Sequence, residues 1–200
     1  MAANSHFPPL YLASTSVYRR ELLTKLTADF TAVKPLVDET PLPEETAMQL
    51  VKRLAMAKAM AVAVTLDEGL VIGSDQVAVF NNKIIGKPHN ATKAKSQLKG
   101  FSGQTVTFLT GLALVNAKSG KSQLVVEPFE VVFRELTEAE IDGYIAKEQP
   151  FDCAGSFKSE GLGISLFSQL RGDDPNSLIG LPLIRLNQML LNENVNLLLR

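Results

Sequence analysis

The chain has no tryptophan, one cysteine and two histidines among its 200 residues. Cys153 alone cannot close an internal disulfide, and with no histidine near it in sequence it lacks the base of a thiol nucleophile. A small buried apolar residue is its expected role. His6, in an N-terminal stretch, and His89, beside Pro88, are poor material for a zinc-protease motif or a Ser-His-Asp triad. Charge of one sign is missing too. Twenty basic residues against 21 acidic ones leave a formal net charge of −1, which excludes a broad nucleic-acid or anionic-membrane footprint, so any anion site must be local. There are no clustered aromatics of the kind that stack on single strands. No apolar run reaches membrane-spanning length, and no basic-plus-apolar signal opens the chain. A reduced, cytoplasmic setting is expected, with neither nucleic acid nor membrane as partner.

What is present is an ordinary core inventory, 46% hydrophobic, enough for residues 1–200 to form a single domain or two tightly joined lobes around a cleft. Leu10-Tyr11-Leu12-Ala13 reads as a short buried strand. The cluster Ser14-Thr15-Ser16-Val17-Tyr18-Arg19-Arg20 then opens a helix through Leu22, Leu23 and Leu26. Backbone N–H groups at a helix start, hydroxyl donors and guanidinium forks together make a plausible anion cradle.

Thr46-Ala47-Met48-Gln49 has capping-box spacing, and the helix it starts places Leu50, Leu54 and Lys58 on one face. A lysine on an apolar stripe is out of pattern. It either snorkels to the rim or delivers an ammonium to a ligand. Leu70-Val71-Ile72 reads as a central strand ending at Gly73-Ser74-Asp75-Gln76, with Val77–Phe80 turning through Asn81-Asn82 into Lys83-Ile84-Ile85. A helix around Thr92–Leu98 follows. Runs Thr105–Val115 and Gln123–Arg134 should pair antiparallel, and Thr137-Glu138-Ala139-Glu140 is a second capping box for a helix to about Lys147. A last helix should start near Pro182. The predicted class is α/β with a mixed, mainly antiparallel sheet flanked by helices.

Gly86-Lys87 approaches a P-loop but has Asn81 and Pro88 where that motif needs glycine and a hydroxyl. The remaining chemistry is carboxylates, Glu39, Asp75 and Glu160, and cations, Arg19, Arg20, Lys58 and Lys87. Oxygen donors of this kind suit magnesium or manganese. Asp75, taken alone, has an equal reading as the cap of a turn, and Glu160, taken alone, reads better as a solvated loop acid.

Taken in order, Leu12-Ala13-Ser14-Thr15-Ser16, Arg19-Arg20-Glu21-Leu22-Leu23, Val37-Asp38-Glu39-Thr40, Ala57-Lys58-Ala59, Gly73-Ser74-Asp75-Gln76, Gly86-Lys87-Pro88 and Gly155-Ser156-Phe157-Lys158-Ser159-Glu160-Gly161 closely resemble the Maf-like nucleotide pyrophosphatases over nearly the whole chain. The chain is most similar to the bacterial branch assigned to 7-methyl-GTP, because Gln76 and Glu160 stand where the dTTP/UTP branch carries Thr and Gln. Tyr18 stands where the 7-methyl-GTP branch carries tryptophan. Both are aromatic, so the departure bears on base affinity more than on base class.

The resemblance implies an elongated α/β fold shared with the inosine triphosphatases, a divalent cation, and cleavage of a nucleoside triphosphate to monophosphate and pyrophosphate. It assigns Asp75 as catalytic base and Glu39 with Asp75 to the metal. Ser14, Ser16, Arg19, Arg20, Lys58 and Lys87 fall to the phosphates, and Tyr18, Gln76 and Glu160 to the base. The expected partner is a small nucleotide, for a monomer or a homodimer. A dTTP/UTP-type pyrophosphatase and a non-catalytic nucleotide-sensing regulator of cell division are the alternatives.

Overall fold

The alternating apolar runs assemble into a single mixed sheet. A computed structural model describes residues 7–199, and His6 lies outside them. The strands are β1 (Leu10–Ala13), β2 (Thr31–Val33), β3 (Leu70–Phe80), β4 (Lys83–Ile85), β5 (Thr105–Asn116), β6 (Ser122–Phe133) and β7 (Phe167–Arg171). Their order is β2-β1-β3-β5-β6-β7, with β4 paired to the end of β3. β1 is parallel to β2 and β3, and the other pairings are antiparallel. The predicted hairpins at Asn81-Asn82 and Ser119-Gly120-Lys121 both form.

The helices are α1 (Val17–Thr24), α2 (Ala47–Ala63), α3 (Ala91–Phe101), α4 (Glu138–Glu148), α5 (Pro175–Ile179) and α6 (Leu183–Asn192). Both capping boxes close. Thr46 Oγ1 accepts from Gln49 N while Gln49 Oε1 accepts from Thr46 N, and Thr137 with Glu140 repeats the exchange. α1 stops at Thr24, two residues short of what the leucine pattern suggests, and Leu26 packs just beyond it.

One expectation is corrected. Gly73-Ser74-Asp75-Gln76 does not mark the end of a strand: β3 runs unbroken from Leu70 to Phe80, with Asp75 paired to Gly111 on β5. Asp75 therefore caps no turn. Successive residues of a strand face opposite ways, so Gly73 and Asp75 look toward α2 while Ser74 and Gln76 look toward α5. Polar side chains are tolerated there because each finds a fixed partner.

α2 lies directly on this part of the sheet. A Cβ at Gly73 would meet the Ala55 carbonyl oxygen at 2.2 Å, and one at Gly111 would meet the Val51 carbonyl oxygen at 2.3 Å. Ala55 and Ala59 complete the contact with small, fully buried side chains. This close approach carries Lys58, one turn along the same face from Leu54, to the level of Asp75. Gly111→Ala is expected to cost about 2 kcal/mol, read as a lowered urea midpoint with an unchanged slope. A midpoint at the wild-type value would mean that α2 does not rest on that glycine.

Candidate active site

The loop after β1 is held by its own serines. Ser14 Oγ accepts from Ser16 N (3.1 Å), and Ser16, the N-cap of α1, accepts from Arg19 N (3.3 Å) through its Oγ. Each hydroxyl spends a lone pair on the backbone and keeps its O–H to donate. Arg19 then reaches 161 residues along the chain, donating from Nε to the Gly180 carbonyl at 2.8 Å. Burial lowers its pKa and the nearby Asp75 and Glu39 carboxylates oppose that, so it remains a cation.

Lys58 does not snorkel. Only 5% exposed, it donates from Nζ to Asp75 Oδ1 at 2.7 Å and pairs with Glu39 Oε2 at 3.0 Å. Asp75 is buried behind it, and Glu39 is the more open of the two acids. Burial pushes the Asp75 carboxyl above its ordinary pKa, an effect that Lys58 and Arg19 oppose and Glu39 reinforces.

On the opposite face of β3, Ser74 Oγ donates to the carbonyls of Gly111 (2.9 Å) and Gly180 (2.8 Å) as alternative acceptors. Gln76 Nε2 lies within hydrogen-bond reach of Thr110 Oγ1 and of the Ser177 and Leu178 carbonyls. With the amide nitrogen anchored, Gln76 Oε1 is the end left to accept.

These groups surround one cavity of about 710 Å³. Its wall includes Ser14, Ser16, Tyr18, Arg19, Glu39, Lys58, Gln76, Lys87 and Glu160, from six separate stretches of the sequence. Asp75 is not on the wall itself but directly behind Lys58. Arg20, expected beside Arg19, is exposed and outside the lining, because adjacent residues of a helix point about 100° apart. Cys153, expected in the core, is half-buried and lines the cavity beside Tyr18. Burial raises its pKa, which keeps it a thiol.

No group of three or more His, Cys, Asp or Glu side chains suited to a metal occurs among the described residues. An all-protein cage is therefore absent there. Two hard-oxygen carboxylates, Glu39 and Asp75, do converge on a single cation, the Lys58 ammonium, and a carboxylate pair completed by substrate phosphates is a usual setting for magnesium. The donor set fits that mode.

The family of Maf-like proteins matches residues 9–193. The chain belongs to that family. It is 58% identical to a 7-methyl-GTP pyrophosphatase from Pseudoalteromonas translucida, over 91% of this chain and 90% of the relative. It is 56% identical to proteins of the same name from Nitrosococcus oceani, over 92% of each chain, and from Pseudomonas savastanoi pv. phaseolicola, over 94% and 98%. Among solved structures, a Ham1 protein from Staphylococcus aureus superposes with a TM-score of 0.52 at 13% identity, over 92% of this chain and 99% of that one. A HAM1 protein from Coxiella burnetii gives 0.52 at 14%, over 93% and 100%. At those identities the likeness is one of fold, and it agrees with the mixed α/β class expected.

In this Maf-like protein the backbone of α5 and Gly180 holds Arg19, Ser74 and Gln76 together, and sequence reading passed over it. The available signal was Asp174-Pro175 ahead of Gly180: a capping acid, proline at the first helical position and glycine just past the end. Gly180 has φ +115°, and a Cβ there would sit 3.3 Å from Arg19 Nε. Gly180→Ala is expected to cost about 1–2 kcal/mol and to weaken binding of inorganic pyrophosphate through displaced Arg19. Wild-type pyrophosphate affinity in that variant would show that Gly180 does not position the guanidinium.

Proposed function

We propose that this Maf-like protein hydrolyses 7-methyl-GTP to 7-methyl-GMP and pyrophosphate in the cytoplasm, clearing a modified nucleotide from the pool. The observation that carries this reading is one cavity lined both by buried Lys58, bracketed by two carboxylates, with half-buried Arg19, and by an aromatic ring, the Gln76 amide and the Glu160 acid. The names of relatives at 56–58% identity over nine-tenths of the chain support it.

Arg19, Lys58 and Lys87 neutralise the triphosphate, and the Ser14 and Ser16 hydroxyls donate to its oxygens. Fixed cations aimed at developing charge are the main lever in phosphoryl chemistry. Water adds to the α-phosphorus, the bond from that phosphorus to the bridging oxygen breaks, and pyrophosphate leaves. Asp75 takes the proton from the attacking water. Its Oδ1 is engaged by Lys58, so Oδ2 is the accepting atom, and the raised pKa makes it a better base than an exposed aspartate. Glu39 and Asp75 would hold magnesium or manganese, which would add positive charge against the phosphates.

Tyr18 offers a ring face to the base. Methylation at N7 leaves guanine cationic and electron-poor, which favours that stacking and a neighbouring carboxylate. Glu160 and Gln76 Oε1 supply acceptors for the ring N–H and exocyclic amino donors of a guanine edge. A pyrimidine offers too few donors to satisfy both, and groups left unpaired penalise its binding.

Purified protein with magnesium or manganese is expected to release pyrophosphate from 7-methyl-GTP faster than from UTP or dTTP; orthophosphate as first product would overturn the reading. Asp75→Asn should lose about 10²–10⁴-fold in kcat with substrate still bound, and near-normal turnover would remove Asp75 as base. Because the protonated carboxyl cannot accept a proton, wild-type kcat/KM should drop as pH falls through a value above the ordinary aspartate range. An acid limb at or below that range would contradict the raised pKa. Glu160→Gln should weaken 7-methyl-GTP hydrolysis more than UTP hydrolysis, and equal losses would count against the base contact.

A further inference from the structure

We propose that Lys34 is a substrate-contacting residue that binds the pyrophosphate portion of the triphosphate, an inference that rests on the reaction proposed above. Lys34 lines the same cavity as Ser14, Arg19 and Lys58. It follows directly on Val33 of β2, and Ser14 follows directly on Ala13 of β1. Those two strands are parallel with Ala13 paired to Val33, so Ser14 and Lys34 enter the cavity from adjacent strand ends. The carboxyl ends of parallel strands are where ligands of α/β sheets bind. Pro35 restricts the backbone of Lys34 to extended geometry, which fixes where its stem begins.

The other cavity cations on that side are already engaged. Arg19 Nε is held by the Gly180 carbonyl and Lys58 Nζ is bracketed by Glu39 and Asp75. Lys34 is exposed and makes no hydrogen bond or ion pair among the described residues, so all three N–H donors are available to a polyanion. Its position sets which part of the polyanion it meets. β2 is the edge strand, two strands and therefore about 10 Å from β3, where Asp75 serves the phosphorus under attack. The phosphates that leave are assigned to that side of the cavity, away from Asp75.

The test compares wild type, Lys34→Gln and Lys34→Arg, with thermal midpoints as the check on folding. Lys34→Gln is expected to raise KM for 7-methyl-GTP about fivefold with kcat changed by less than about twofold, and Lys34→Arg to recover most of the loss. By calorimetry, the affinity of Lys34→Gln for inorganic pyrophosphate should fall by a similar factor while that for 7-methyl-GMP stays the same. Unchanged KM and pyrophosphate affinity would overturn the inference, and so would equal weakening of pyrophosphate and 7-methyl-GMP, which would mark a diffuse field effect. If the wild-type protein failed to cleave 7-methyl-GTP, the proposed reaction would fall; the pyrophosphate titrations would still decide whether Lys34 binds that anion.

Discussion

A lysine ammonium buried against two carboxylates is the constraint around which this molecule is arranged. Burying one charge in a protein interior costs several kcal/mol unless partners meet it, and Lys58 is met by Asp75 at 2.7 Å and Glu39 at 3.0 Å. That geometry exists only because α2 can lie against β3 and β5, and it can do so because Gly73 and Gly111 present no Cβ to its backbone. The sequence of cause runs from two glycines to a helix position and from the helix position to an ion triad, in which burial raises the Asp75 pKa against the opposing charge of Lys58. One ammonium against two carboxylates leaves the triad one negative charge in excess when all three are ionised, and the nearby Arg19 guanidinium offsets it.

The second organising feature is a piece of backbone. Carbonyls of Ser177, Leu178 and Gly180 accept from Gln76, Thr110, Ser74 and Arg19. Asp174 ties this segment down, taking the N–H groups of Asn176 and Ile184 at 2.8 Å each. Arg19, proposed for the phosphates, and Gln76, proposed for the base, thus share one scaffold. Motion of α5 would move both together.

Much of this was legible in the sequence where the signal is local. The two capping boxes, the Asn81-Asn82 turn and the long antiparallel pair are set by spacing and turn chemistry within a dozen residues. Lys58 announced itself as an exception to its apolar stripe. The three-residue β2 and five-residue β7 were passed over, being too short to show a period. The polar quartet of β3 looked like a strand end because its satisfying partners, on α2, β5 and α5, lie far away in sequence. Arg19 and Arg20 are indistinguishable as letters, and only the helix rotation sends one inward. The carbonyls of α5 carry no side-chain signature at all.

The ion triad can be tested directly by a double-mutant cycle in stability. Lys58→Met alone leaves the Asp75 carboxyl without its ammonium and should cost about 3 kcal/mol; Asp75→Asn alone leaves the ammonium short of a partner. The account predicts that the combined variant is less destabilised than the sum of the two, by more than about 1 kcal/mol, in urea unfolding at neutral pH. Strict additivity of the two losses would contradict it.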